Sequence, residues 1–411
     1  MLSKNKRQLS FLIISHDTYP PSRTDVTVLI GKYLVAFGHN FDWILMSNDS
    51  CDKPYVARWN GGNVWVGKNA IPKSIVGKLK RGIESFINEM KLFSLLRAKS
   101  YDFIQVKDKF LVTLPAVIAA KKNKVQFVYW LSFPYAEFYL SGMDNGVLRC
   151  GCLLRGVVLW LLTYRIILPS ASHVFVQSQY MKEAMIKKGV PESKLTAVPM
   201  GVPVDDIPFD PGQSSGRVTH KIKNVMYLGT LNRSRRLDFL IRTFSSVLCH
   251  EPNATLHLVG GGESPGDEEL LWAEAERLSI RSKVTITGFM AIRQAWEYLR
   301  SADVCVSPIY PCEVFNYGTP TKIIEYMAMG KAVVANEHPD QSDVIARSGA
   351  GLCVRWDEME FSDAIASLLR NPGLCYEMGC RGREYVKKYR DYRSIAETVE
   401  RQYLAIANGT P

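Results

Sequence analysis

The chain has 411 residues, 47% of them hydrophobic and 22% charged, with nine cysteines and a net charge of +11. That balance excludes a disordered or low-complexity protein, and the length suits two or three domains at ~100–200 residues each. The charge is uneven: residues 1–210 carry 27 Lys+Arg against 16 Asp+Glu, whereas residues 211–411 carry 24 of each. An anionic partner is therefore expected for the first half, either a membrane surface, a phosphorylated substrate or nucleic acid; a solvated basic face is the plainer alternative. Nucleic acid ranks last, because no recognition module or interleaved aromatic pattern is present. Cys150 and Cys152 form a lone pair and the other cysteines are scattered. Neither a zinc site nor a disulfide framework is expected from them, but buried thiols in a reducing, cytoplasmic compartment.

The start, "MLSKNKRQLSFLIISHD", has a basic head and a short apolar core that runs straight into "SHDTYPP". A first buried strand is expected there, not a signal peptide. A helix over 26–37, the strand "FDWILMS", a long helix over 73–97, the strand "YDFIQV", a helix over 110–121 and the strand "VQFVYW" follow. The helix expected over 147–168 contains "GVVLWLLTYRIIL", broken by Arg165. That run is shorter than the ~18–20 residues of a membrane span, so a core helix is expected, with an interfacial one as the alternative. The strand "SHVFVQS" and a helix over 179–188 complete the first half. Continuous apolar strands between helices predict a parallel sheet covered on both faces. Within 75–97, Ile75, Leu79, Ile83, Phe86, Ile87, Met90 and Phe93 lie near helical spacing beside Lys78, Lys80, Arg81, Lys91 and Arg97. A core helix with a basic outer side competes there with a helix lying on an anionic membrane.

Residues 201–221 hold three prolines, three glycines and three aspartates and are expected to be a linker. Then "NVMYLG", a helix over 235–249, "ATLHLVG", a helix over 267–279, "KVTITG", a helix over 291–301 and "DVCVS" restore the alternation. "YGTPTKIIEYMAMGKAVVAN" (317–336) adds a helix and a strand, and helices over 359–388 and 391–407 close the chain. The fold class expected is α/β, with two doubly wound Rossmann-like domains, 1–200 and 222–388, facing an interdomain cleft. Residues 389–411 are expected as a helix packing back on the first domain.

Three features of the second domain could converge on one ligand. In "YLGTLNRSRRLDFLI" a strand ends at Gly229, and a loop with Arg233, Arg235 and Arg236 follows. Guanidinium forks match phosphate oxygens; a solvated basic loop is the equal alternative. In "VGGGESPGDEELL", Gly260, Gly261 and Gly262 would let a backbone approach a ligand, although a tight turn explains them as well. In the third, Thr319 is expected to cap a helix with Pro320 at its first position, leaving the N–H groups of Thr321 and Lys322 free for an anion. Glu325 lies one turn on, where it suits hydroxyls. In the first domain, His16 and Asp17 are expected to end the first strand.

From Arg217 to about Asp391 the chain resembles the nucleotide-sugar-binding half of a family 4 glycosyltransferase with the GT-B fold. "YLGTLNRSRRLDFLI" is similar to the segment whose Arg and Lys hold the donor diphosphate. The Lys position falls on Arg235, and the Arg position on Thr230, which has no charge. "EYMAMGKAVVA" resembles the segment after the two-glutamate motif E-x7-E. The second Glu is Glu325, which the resemblance implies binds the ribose; the first falls on Tyr317. "TPTK" looks like a recurring variant within the family. The opening segment around Gly38 and His39 resembles the first domain of the family more weakly, and Ser132 stands where a histidine is common. The resemblance implies a retaining, metal-independent hexosyltransferase using a UDP or GDP sugar. Arg235, Lys322, Glu325 and Asp17 would carry the chemistry. Gly229, Thr230, Arg233, Gly261, Thr319 and Thr321 would line the donor site. The acceptor implied is a glycan or lipid-linked sugar, met at the cytoplasmic face of the membrane in surface polysaccharide or glycolipid synthesis. A sugar-nucleotide epimerase and a binding protein without transfer activity are the competing expectations.

Overall fold

Eight strands form the sheet of the first of two units, in the order β3-β4-β2-β1-β5-β6-β7-β8. They are β1 (Ser10–Tyr19), β2 (Asn40–Ser47), β3 (Tyr55–Trp59), β4 (Gly62–Gly67), β5 (Phe103–Lys107), β6 (Gln126–Leu131), β7 (His173–Val176) and β8 (Leu195–Ala197). All pairs are parallel except β3 with β4. The computed structural model describes residues 7–69, 75–141, 149–209 and 223–409. The starts of the helices expected at 73 and 147, and residues 210–221 of the expected linker, lie outside these. The units are Met1–Pro199 with Tyr392–Pro411, and Met200–Asp391.

Side chains alternate across a strand, so a sheet covered on both faces needs unbroken apolar runs. In β1, Phe11 and Ile13 join a core with the helical segment Asp25–Leu34 and the last helix, Tyr392–Ala407, while Leu12 and Ile14 are buried on the other side. Tyr403 of the last helix meets the rings of Phe11, Phe103 and Phe175 edge-on at 4.7–5.2 Å and donates its hydroxyl hydrogen to Gln105. His39 ties the first strand to the last helix. Its Nδ1 accepts from the Leu9 N–H at 3.2 Å, and its Nε2 lies 3.1 Å from Glu400 of that last helix.

Several elements depart from the sequence expectations. The β3–β4 hairpin was not expected, although Asn60 and Gly61 at φ 48° and 81° form the left-handed turn that Asn-Gly favours. The helix expected over 73–97 is two, Ile75–Glu89 and Leu92–Ala98. The helix expected in the core is Arg149–Leu161 continued by a π-helical turn, Leu162–Ile167, and it is largely exposed. With Leu168–Ser170 it makes Gly151–Ser170 long and apolar enough, by length and composition alone, to cross a bilayer. Of the cysteines with described side chains, only Cys152 and Cys305 are buried; Cys249 is exposed and the others are half-buried.

The second unit carries a six-stranded, all-parallel sheet: β9 (Lys223–Leu228), β10 (Ala254–Val259), β11 (Val284–Ile286), β12 (Val304–Ser307), β13 (Ala332–Asn336) and β14 (Gly351–Val354). Residues 201–209 belong to this unit: Val202, Val204 and Ile207 are buried in its core. Helix Pro339–Ser348 and β14 were not expected. The helix expected over 359–388 breaks between Glu358–Leu369 and Pro372–Tyr389, where the Asn371 side chain caps the new helix and Pro372 occupies its first turn.

Candidate functional site

The second sheet has the order β11-β10-β9-β12-β13-β14. Chain order reverses between β9 and β12, and ligands of open α/β sheets bind at the carboxyl ends of strands at such a switch point. The two strands pair only at Val225–Val304 and Met226–Cys305, then separate. Tyr326 fills the opening. Its hydroxyl accepts from the Leu228 N–H at 2.8 Å and approaches the Val306 carbonyl at 3.4 Å. Tyr326 thereby fixes the helix Thr321–Ala328, which runs from the carboxyl edge of the sheet back into the core.

Lys322, in the first turn of that helix, lies across Gly229. A Cβ on Gly229 would stand 2.4 Å from Lys322 Cε and 3.1 Å from Nζ. Lys322 Nζ donates to the Tyr227 hydroxyl at 2.8 Å and sits 4.5 Å from the centre of its ring. That hydroxyl donates in turn to the Thr230 carbonyl at 3.2 Å. Burial holds the phenol protonated, pushing Tyr227 up to about 12 against the opposing effect of Arg235. Lys322 thus delivers an ammonium beside Thr230, the position that lacks a charge. Tyr227, missed from the sequence, is the bracket that holds it.

Burial drives Lys322 down to about 7, with Arg235 adding repulsion and Glu325 opposing both. Burial likewise raises Glu325 to about 7, and Lys322 opposes it. Arg235, Lys322 and Glu325 therefore share one electrostatic neighbourhood. Glu325 has no hydrogen-bond or ion-pair partner among the described residues, and Arg235 Nε is buried without one. A buried donor without a partner is costly. Lys322 thus lies in the field of both Arg235 and Glu325, and an unpartnered guanidinium N–H beside an ammonium is chemistry that suits an anion.

The other expected residues fall differently. Thr319 does not cap the helix; its hydroxyl accepts from the Met200 N–H at 3.0 Å, and Pro320 takes the cap position without a side-chain bond. The helix begins at Thr321, one residue later than expected, and Gly330 at φ 70° follows its end. Arg233 is turned towards Asp267, 3.5 Å away, and Arg236 lies over the ring of Tyr310 at 5.5 Å. The glycine run is explained by loop-on-loop packing. A Cβ on Gly260 would meet the Gly229 carbonyl at 2.0 Å, one on Gly261 the Phe289 ring at 2.7 Å, and one on Gly262 Asp267 at 2.7 Å. Tyr317, where the motif has its first glutamate, is buried. Gly229→Ala, at φ 145° and against Lys322, is expected to destabilise the second unit by ~1–3 kcal/mol and to displace the lysine. Urea unfolding, together with donor affinity, checks this.

In the first unit, His16 and Asp17 do not end the strand; β1 continues to Tyr19 past an irregularity between Ile14 and Thr18. Asp17 belongs to a buried charge cluster. Lys107 Nζ lies 3.1 Å from Asp17 and 3.0 Å from Asp25, and Arg23 makes paired 3.0 Å bonds to Asp25. The Ser15 hydroxyl also bonds Asp17. Ser132 donates both its N–H and its hydroxyl to Asp108, whose carboxyl burial raises despite Lys107 and Ser132. Both Asp17 and Ser132 are thus held by protein partners.

Two α/β units on largely parallel sheets, the second with a switch point between β9 and β12, have the GT-B glycosyltransferase architecture. The chain belongs to the family 4 glycosyltransferases: residues 25–206 match the profile described as "Glycosyltransferase Family 4", and residues 222–371 match "Glycosyl transferases group 1". A sucrose-phosphate synthase from Thermosynechococcus elongatus shares the fold, with a TM-score of 0.74 at 19% identity, covering 98% of this chain and 100% of that one. Anabaena HepE in complex with UDP and glucose gives 0.67 at 16% identity, over 97% and 100% of the chains. Among curated sequences, a mannosylfructose-phosphate synthase of Agrobacterium fabrum is 29% identical over 142 residues, 32% of this chain and 31% of that protein. A GDP-mannose-dependent alpha-(1-6)-phosphatidylinositol monomannoside mannosyltransferase of Mycobacterium tuberculosis is 26% identical over 219 residues, 51% of this chain and 55% of that protein. The matched stretches span about a third to a half of those relatives.

Proposed function

We propose that this glycosyltransferase takes a hexosyl group from a UDP or GDP sugar and passes it, with retention at the anomeric carbon, to a glycan or lipid-linked acceptor in surface polysaccharide or glycolipid synthesis. The observation that carries the reading is the Lys322 ammonium held over Gly229 by Tyr227, with Arg235 and Glu325 in the same electrostatic neighbourhood. Lys322, Arg235 and the first N–H groups of the helix Thr321–Ala328 would stabilise the charge that grows on the departing diphosphate. The bond from the anomeric carbon to the phosphate oxygen breaks as the bond to the acceptor oxygen forms, and the acceptor proton passes to the departing phosphate. Glu325 would accept hydrogen bonds from the ribose hydroxyls. With two cations and a helix end on the phosphates, no metal is needed for neutralisation. The names of the mannosyltransferase relative and of HepE with UDP support the donor class, and the former supports a lipid-linked acceptor.

A panel of UDP and GDP sugars is expected to raise the melting temperature of the protein, since a ligand stabilises the fold it binds. Glu325→Ala is expected to abolish that shift; an unchanged shift would leave the carboxylate without this role. Incubating the stabilising donor with a membrane extract then separates transfer from its alternatives. Label moving into glycan or lipid supports the reading, whereas a free isomerised donor or binding alone removes it.

A further inference from the structure

Helix Ile75–Glu89 is inverted relative to an ordinary amphipathic surface helix. Its polar residues face the protein: Asn88 Nδ2 donates to the Leu45 carbonyl at 3.0 Å, Glu89 accepts from Ser85 at 2.7 Å and pairs with Lys109, and Glu84 pairs with Lys68 at 3.0 Å. Its apolar stripe faces outward: Leu79, Ile83 and Ile87, four residues apart, are 67%, 54% and 63% exposed. The neighbouring helices repeat the pattern. Leu111, Leu114 and Ile118 are exposed on and just before helix Thr113–Asn123. That helix packs between Leu92–Ala98 and the π-helical turn Leu162–Ile167. Leu153, Leu154, Val157 and Leu161 are exposed on Arg149–Leu161. Monomeric soluble surfaces rarely leave so broad an apolar area open.

The charges on this layer are one-sided. Lys80, Arg97, Lys121, Lys122, Arg155 and Arg165 are exposed. Among the described residues the acidic groups Glu84 and Glu89 of these helices, and Glu137 of the adjoining helix Tyr135–Leu140, are each drawn into an ion pair with Lys68, Lys109 or Lys188. Arg155 lies 4.3 Å over the ring of Tyr139, and Arg165 lies 5.8 Å from that of Trp160, aromatic residues of the kind that settle at the headgroup level. We propose that this helical layer of the first unit docks on an anionic phospholipid bilayer, its leucines and isoleucines entering the acyl boundary and its lysines and arginines meeting the phosphates. Helix Arg149–Leu161 lies in the interface and does not span it, because Gly156 fastens it to Tyr135–Leu140: a Cβ there would meet Leu140 Cγ at 2.9 Å. This face would dock whether or not the second unit binds a nucleotide sugar.

The test is sedimentation of the full-length protein with vesicles of phosphatidylcholine alone or mixed with phosphatidylglycerol. Retention by the anionic vesicles, with release by salt, is expected. Leu79→Ser with Ile83→Ser and Ile87→Ser is expected to lower retention at least about tenfold, and Lys121→Glu with Lys122→Glu by a similar factor. All five positions are exposed, and circular dichroism checks that each variant folds. Equal retention by neutral vesicles, or unchanged retention of both variants, overturns the proposal. So does a concentration-dependent dimer abolished by the triple variant, which would mean that a second copy covers the face.

Discussion

Lys322→Met is expected to lower sugar transfer by about 10²–10³-fold while leaving the fold as stable as before or more so. The loss follows from removing a preorganised cation from a leaving group that gains charge, an effect on the order of 3–4 kcal/mol in a water-poor site. The stability sign is opposite because the ammonium is held where burial disfavours it. The folded-state value of about 7 lies below the ordinary lysine range, so this residue's contribution to stability is present above that range and lost as pH falls through about 7. Methionine removes that loss, and the variant's advantage should be greatest below pH 7 and disappear at alkaline pH. Removing the cation also lets Glu325 rise further, because Lys322 opposes the effect of burial there. A bound diphosphate would restore the proton to the wild-type lysine. Donor binding at pH 8 should therefore take up a proton, seen as a dependence of calorimetric heat on buffer ionisation enthalpy, and Lys322→Met should show none. Wild-type transfer in the variant, or proton uptake unchanged by it, would remove Lys322 from the site.

The largest expected loss of stability is in the first unit, at Lys107→Met. Lys107 is almost wholly buried and lies 3.0–3.1 Å from both Asp25 and Asp17. Removing one member of a buried charge cluster leaves the others uncompensated, at ~3–5 kcal/mol. Arg23 keeps its bonds to Asp25 but lies 3.7 Å from Asp17, too far to replace the lysine at both. The pH dependence identifies the cause. Burial alone pushes Asp25 up, yet Lys107 and Arg23 outweigh it and hold the carboxyl below its ordinary range. That contribution is present above the ordinary aspartate range and is lost as pH falls through the lowered value. Wild type and Lys107→Met should thus differ most at pH 7 and converge only in strong acid, measured by guanidinium unfolding at pH 7 and at a pH well below the ordinary aspartate range. A second change, Asp25→Asn, should recover part of the loss. Coincident unfolding curves for wild type and Lys107→Met at pH 7 would refute the cluster's structural role.

Much of the fold was legible because parallel strands covered on both faces must be apolar throughout, and the strands expected at "FDWILMS", "NVMYLG" and "AVVA" lie within or beside β2, β9 and β13. Periodicity failed where an element's environment differed from the ordinary one. The stripe Leu79, Ile83, Ile87 has the spacing of a core face, but Asn88 and Glu89 took the inner side because the Leu45 carbonyl and Lys109 offered them partners. The Asn60–Gly61 hairpin carried its own signal and was passed over among the longer elements.

For the site, the residue types around Lys322 and Glu325 were fixed by the chain itself: a helix start, a cation and a carboxylate one turn apart. Which of several arginines lies near Lys322 was decided only by tertiary structure. Three arginines follow β9, yet Asp267 draws one aside, Tyr310 takes another, and Arg235 alone joins Lys322. Thr319 lost its capping role to a backbone N–H 119 residues away. Tyr326 and Tyr227 gained theirs because two strands diverge and leave donors and acceptors to be satisfied. The physical reason is common to all of these. Local sequence sets which groups a segment can offer, but a buried polar group binds whatever partner the fold brings within about 3 Å, and those partners come from elsewhere in the chain.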